Sequence, residues 1–256
     1  MCRDKNRDRD YFKEYIDKSK SRIEKFESWI VIGKTPEERI PIVLKSIGSI
    51  KLRILIAKYS LGNSTTEIEQ DYLELLKKFD KYWPVGQVLM KHEGKELKQY
   101  LDYDDMLWML SFGYLFNVSN QYFELLADLI DRDEVIDHLY EFILSRKLNR
   151  EAKSQESYEY GWDLYKSLRQ AIQVDQSQID SIKLVAVHLE KEWKKDHKEM
   201  LKSIESKNPI YYGAWSFESV SIVAILGLDD STFKDNQYYP KDLLDHYRST
   251  LKGLPS

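Results

Sequence analysis

The sequence predicts an all-α fold, with about ten helices packed as one compact multi-helix assembly of two closely associated modules. Three observations carry that prediction. Apolar residues recur at spacings of three and four almost throughout the 256 residues, the period that gathers them on one helical face. Alternation of β-branched and polar residues between turn signals, the mark of half-buried strands, is nearly absent. Helix starts are marked repeatedly by residues that suit the free N–H groups of a first turn.

The elements follow in order. After the charged arm MCRDKNRDRD, periodicity predicts a helix over Tyr11–Ile32. Thr35 before Pro36, with Glu37 and Glu38 behind, opens Pro36–Tyr59, because proline presets φ and early carboxylates complement the helix dipole. Ser64 with Glu67 three residues on has the capping-box pattern and opens Thr65–Met90. Asp102 precedes Tyr103–Phe116, and Ser119 precedes Gln121–Ile130. Helical spacing continues over Arg132–Arg146, Glu159–Ile172, Gln178–Ser206 and Trp215–Leu226, and Pro240 opens Pro240–Leu251. The polar stretch SRKLNREAKSQES, Ser145–Ser157, lacks an apolar stripe and reads as a linker, so two modules are expected, residues 1–146 and 147–256.

Composition bounds the function. With 39 basic and 43 acidic residues the formal charge is −4, which argues against a nucleic-acid partner, since phosphate neutralisation needs a cationic surface. The single cysteine, Cys2, permits no internal disulfide and reads as an exposed thiol without a role. No signal-like apolar segment opens the chain, and the longest nearly apolar run, Val220–Leu228, is too short to cross a bilayer. A cytoplasmic protein with no membrane partner is therefore expected. The charge is uneven: Glu93–Glu141 holds 12 acidic residues against three basic ones, a local charge of −9.

Motifs of catalysis are scarce. Gly33, Lys34 and Thr35 look like the end of a phosphate-binding loop, but Ser28 stands where that motif needs its first glycine and the preceding segment is helical. The residues three before His92, His138, His188, His197 and His246 are Leu89, Val135, Val185, Lys194 and Leu243, so the Glu-x-x-His pattern of helical di-iron sites fails each time. His188, Glu192 and Asp196 do share a helical face by their spacing, without a visible fourth ligand. His197 lies on the apolar stripe Ile182, Ala186, Leu189, Trp193, Met200, Ile204 and reads as a core or rim residue. No cofactor, metal or small-molecule substrate is expected.

One carboxylate stands out. Glu218 in WSFESVSIVAIL shares a helical face with Ala214, Trp215, Ser221, Ile222 and Ile225. A buried carboxylate needs a partner or a proton. The following segment offers the Lys241 ammonium and the Tyr238 and Tyr239 hydroxyls, so Glu218 is expected to tie the two C-terminal helices together.

These residues carry a resemblance. The run YYGAWSFESVSIVAILGLDDSTFKDNQYYPKDLLDHYR, with Trp215, Phe217, Glu218, Gly227, Asp229, Asp230, Ser231, Tyr238, Tyr239, Pro240, Lys241 and Asp242, resembles the C-terminal module of the PoNi proteins, immunity proteins against PoNe polymorphic nuclease toxins. RDRDYFKEYIDKSKSRIEKF, ERIPIVLKSIGSIKLRILIAKYSLG, YDDMLWMLSFGYLF and ELLADLIDRDEVIDHLYEFIL resemble its N-terminal module. The likeness is least clear between Leu148 and Asn208. It implies a helical protein without enzymatic activity that binds and neutralises a cognate DNase toxin, by occluding its active site or its DNA-binding surface.

A nuclease must hold anionic DNA, so its active face is expected to be basic and the −9 segment to meet it. The expected toxin contacts are Asp102, Asp104, Asp105, Asp131, Asp133, Glu134 and Asp137, with Tyr103 and Trp108 as aromatic anchors and Asp229, Asp230 and Asp235 as a second acidic surface. Trp215, Glu218, Tyr239, Pro240 and Lys241 are the expected structural motif. Two rivals stand beside this reading: a metal-dependent helical hydrolase using His188, Glu192 and Asp196, and an adaptor binding peptides or helices through an aromatic-rich surface.

Overall fold

The computed structural model describes residues 2–93, 95–153, 164–173 and 175–252. It is largely helical, as the periodicity predicts. The chain divides into two compact units, Met1–Asp105 with Lys202–Gly213, and Met106–Leu201 with Ala214–Ser256. This is a discontinuous division, different in kind from the two continuous modules expected from the sequence.

The first unit is built on α1 (Arg9–Val31), α2 (Ile40–Leu61) and α3 (Thr65–Leu76). Asp8 caps α1 by accepting from Tyr11 N, and the Ser64–Glu67 capping box opens α3 in both directions. A 3-10 turn, Glu37–Arg39, precedes α2, and no side chain caps it, so Thr35 does not play the expected role. α2 is the centre of the unit: Ile47, Leu52, Leu55, Ile56, Ala57 and Tyr59 are all buried in it. Gly48 lies on α2 where it meets the 3-10 turn Asp80–Tyr82; a Cβ there would stand 2.5 Å from Tyr82 Cβ.

The expected helix Thr65–Met90 is overturned beyond Leu76. Pro84 disfavours helical backbone at Trp83, and Gly86 takes φ +75°. The chain then forms an antiparallel hairpin, β1 (Leu89–His92) and β2 (Lys95–Tyr100), with Leu89 opposite Tyr100 and His92 opposite Lys95. An irregularity between Leu89 and Lys91 breaks the alternation that would have marked it as strand. Tyr100 is buried edge-on against Trp83, at 5.0 Å.

The charged arm is also pinned. Arg3 donates to Tyr59 O at 2.9 Å and lies over the Tyr59 ring, while Asp4 is buried and accepts from Tyr211 Oη. Arg7 donates to Ile204 O and Ser206 O. Cys2 is accordingly half-buried rather than exposed.

The second unit holds α4 (Tyr103–Leu115) from Met106 onward, α5 (Asn120–Arg132), α6 (His138–Leu148), α7 (Lys166–Ala171), α8 (Gln178–Val187), α9 (Trp193–Asp196), α10 (Lys198–Lys202) as far as Leu201, α11 (Phe217–Leu226) and α12 (Lys241–Lys252). Trp108, Phe112, Phe123, Leu126, Tyr140, Ile143, Leu189, Trp193, Val220 and Ile222 form its core. Three expected helices change. α6 begins at His138 rather than Arg132, because Asp137 takes extended backbone and caps it. Of Glu159–Ile172, α7 covers Lys166–Ala171, and residues 159–163 lie outside the described residues. Gln178–Ser206 is interrupted by a π turn, His188–Glu192, and again at His197. The expected linker begins inside α6, its Arg150 and Lys153 make ion pairs, and residues 154–157 lie outside the described residues. No helix among the described residues is long and apolar enough to cross a membrane.

Candidate functional site

Glu218 opens α11 fully buried, but its partners are not those expected. It accepts from Trp108 Nε1 of α4 at 3.2 Å and from the Ser216 hydroxyl, and lies 3.4 Å from His188 Nε2. Lys241 instead pairs with Asp235 at 2.7 Å in solvent, and the Tyr238 ring stacks on Trp193 at 4.3 Å. Glu218 therefore ties α11 to α4 and to the π turn, not to α12.

His188 is itself fully buried, with Nδ1 3.5 Å from Glu192. Glu192 in turn accepts from Ser167 N at 3.1 Å and Ser167 Oγ at 2.7 Å, which reaches α7. Burial alone pushes the imidazole's pKa down, yet the two carboxylates outweigh it and hold it above its ordinary value. Burial likewise pushes Glu192 up, and the nearby His188 ring together with the two bonds from Ser167 overrides that and brings it to about 2. The result is an imidazole ring clamped between the side chains of Glu192 and Glu218. Around it, Tyr165 Oη bonds His197 Nε2 at 3.2 Å and His197 stacks on Trp193 at 4.4 Å.

This arrangement holds elements together and has no face toward a substrate: His188 and Glu218 are wholly enclosed. Asp196, the third member of the expected metal face, turns to Tyr165 N at 3.5 Å, and burial raises its pKa. Among the described residues no group of three or more His, Cys, Asp or Glu side chains is set to hold a metal ion.

The expected toxin contacts divide sharply. Asp105 is buried, accepts from Ser49 Oγ at 2.5 Å and faces Arg53 at 3.9 Å; burial, partly opposed by Arg53, pushes its carboxyl up to about 6. Asp133 is buried in a two-bond pair with Arg132, both at 2.9 Å. Asp137 is buried, accepts from Leu139 N and Tyr140 N, and pairs with Arg169 at 2.8 Å. Tyr103 and Trp108 are buried too. These five are interior groups, correcting the expectation that they face a partner.

Asp102 pairs with Lys45 at 2.5 Å, and Asp131 with Arg150 at 3.1 Å and Lys153 at 2.5 Å, both partly exposed. Burial would raise Asp131, but its two cationic partners dominate and lower it. Asp104 is partly exposed and Glu134 exposed. Asp229 is exposed and accepts from Ser231 N at 3.0 Å, while Asp230, partly exposed, pairs with Arg248 at 3.1 Å. Trp215, Tyr239 and Pro240 are buried and Lys241 is exposed. The outer face of α5, Gln121, Glu124, Leu125 and Asp128, is exposed, as is Ile136 beyond it, and no motif in the sequence marks them. Their signal was the strict inward spacing of Phe123, Leu126, Ala127, Leu129 and Ile130, which leaves the other face outward.

Two family models match the chain: PoNe immunity protein (PoNi), N-terminal, over residues 3–128, and PoNe immunity proteins (PoNi), C-terminal, over residues 135–243. No protein of curated function matches it in sequence. Among solved structures it is similar in fold to protein PA2201 from Pseudomonas aeruginosa, with a TM-score of 0.69 and 14% identity, covering 98% of this chain and 92% of that one.

Proposed function

Because the chain belongs to the PoNi family of PoNe immunity proteins, whose members are immunity proteins and not enzymes, we propose that it neutralises one cognate DNase toxin by binding it and covering its active centre or DNA-binding face. The match over residues 3–128 and 135–243 carries this reading. The physical chemistry supports it. Glu218, His188, Glu192, Asp105, Asp133 and Asp137, the acid–base groups that sequence or structure single out, are engaged within the fold. What a partner can meet is a surface, and over Glu93–Glu141 the sequence is strongly acidic. Negative potential competes with DNA for a basic nuclease face and speeds encounter, with rates that fall as salt rises. The protein would act in the cytoplasm, where the DNA it protects lies.

The test is a DNA-cleavage assay with the purified nuclease domain of the cognate toxin. Stoichiometric addition of the chain is expected to abolish cleavage and to yield a complex on gel filtration. Undiminished cleavage at several-fold molar excess would overturn the proposal.

A further inference from the structure

We propose that the outer face of α5 and the turn after it form the docking surface for the toxin's DNA-binding face, with Ile136 as its apolar anchor. The inference rests on the immunity reading and adds the place of contact. α5 buries Phe123, Leu126, Ala127, Leu129 and Ile130 and turns Gln121, Glu124, Leu125 and Asp128 outward. Glu124 and Asp128 are one turn apart, and Leu125 between them is 37% exposed. An acidic helix face with an apolar centre complements a surface built to hold phosphates, which offers cations around apolar sugar-contact ground.

The turn adds a fixed anchor. Asp133 is held by Arg132, Glu134 N donates to Asp131 O and Val135 N to Ile130 O, and Asp137 is locked by Arg169 and the α6 N-terminus. Between buried Val135 and buried Asp137, Ile136 stands 50% exposed, with exposed Glu134 two residues before it. The buried aspartates thus hold rigid the backbone that presents an apolar side chain outward. Anchors fixed before binding lose little entropy on docking and are where binding energy concentrates. A second exposed apolar patch exists at the end of α1, Val31 and Ile32, in the other unit. Its neighbour Trp29 carries Lys25 and Lys34 over its ring, each at 4.7 Å, so a basic partner is repelled there.

The test measures binding of a catalytically inactivated form of the same nuclease domain by interferometry at two salt concentrations. Ile136→Asp is expected to weaken affinity about 30-fold, mainly through faster dissociation. Glu124→Lys/Asp128→Lys is expected to slow association about tenfold at low salt and to flatten its salt dependence. Val31→Asp/Ile32→Asp is expected to bind as wild type does. All three change exposed side chains, and Ile136→Ser serves if Ile136→Asp melts early. Wild-type binding that both α5-side changes leave intact overturns the inference alone, as does loss caused by the Val31/Ile32 change instead. A wild-type chain that neither binds nor inhibits overturns the immunity reading and this inference with it. A dimer by light scattering that Ile136→Asp converts to monomer, with toxin affinity unchanged, assigns the surface to self-association and also overturns it.

Discussion

Replacing Glu218 with alanine tests whether the enclosed carboxylate holds the second unit together. Three donors converge on it: Trp108 Nε1 at 3.2 Å, the Ser216 hydroxyl, and His188 Nε2 at 3.4 Å. Each buried donor left without an acceptor costs about 1–3 kcal/mol, and removing one member of a buried ion pair costs about 3–5 kcal/mol. These figures overlap, because His188 is counted in both, and it keeps Glu192 at 3.5 Å. An expected loss of about 3–5 kcal/mol follows, which for a chain of this size lowers the melting midpoint by about 10 °C. Glu218→Gln separates charge from shape: one amide oxygen serves at most two of the donors, so an intermediate loss of about 2–3 kcal/mol is expected.

The pH dependence has a definite sign. His188 is held above its ordinary value of 6.5, so in the window above 6.5 the folded chain binds more protons than the unfolded one. Its contribution is complete below 6.5 and is lost as pH rises through the folded value. Glu192, brought to about 2, acts oppositely, contributing above its ordinary 4.5 and failing as pH falls toward 2. Urea unfolding followed by circular dichroism between about pH 5 and 9 should show the alkaline decline in wild type and a shallower one in Glu218→Gln, which lacks one of the two carboxylates holding the proton. A Glu218→Ala midpoint within about 2 °C of wild type, or parallel pH profiles for wild type and Glu218→Gln, would refute the reasoning.

Three further outcomes are expected. Gly48→Ala should lower the urea midpoint, since its Cβ would stand 2.5 Å from Tyr82 Cβ, an atom no rotamer can move, and overpacking of about 1–3 kcal/mol exceeds the roughly 1 kcal/mol of helix propensity gained. Asp137→Ala should cost about 3–5 kcal/mol in thermal unfolding, because it removes the α6 cap and leaves Arg169, itself buried, facing no carboxylate at that position. Asp105, raised to about 6 from 3.8, binds a proton more readily folded than unfolded, so wild-type stability falls relative to Asp105→Asn as pH rises from about 4 to 6, by about 2–3 kcal/mol. Equal pH profiles for the two would count against burial as the cause.

Much of the fold was legible because a helical period repeats over many residues and survives local noise. α1, α2, α4, α5, α11 and α12 fall within a few residues of their expected spans. What escaped was decided by single residues or distant partners. The β1–β2 hairpin is short, charged and irregular at Leu89–Lys91, so its alternation never forms a readable run. The break before α6 depends on Asp137 adopting extended backbone, which Arg169, 32 residues away, helps to hold. The π turn at His188–Glu192 sits within a helical pattern, and what occupies it is a pairing with Glu218 30 residues on. Sequence states that Glu218 needs a partner, but besides the adjacent Ser216 hydroxyl its partners come from distant α4 and the π turn, which proximity in sequence does not reveal.

The same distinction explains why a charge count overstates the acidic surface. Formal charge treats every carboxylate alike, whereas burial sorts them into two kinds. Asp105, Asp133, Asp137 and Glu141 are enclosed against cations or hydroxyls, so their fields are largely neutralised within the fold. Glu124, Asp128 and Glu134 stand in solvent, where their potential reaches a partner over about a Debye length. An acidic segment can therefore be both scaffold and lure, with the enclosed aspartates fixing the turn from which Ile136 and its exposed neighbours act. It follows that Asp133→Asn and Asp137→Asn should weaken toxin binding only as far as they loosen that turn. Glu124→Lys/Asp128→Lys should act on association while leaving the melting midpoint in place, and a reversal of these two patterns would place recognition in the buried set.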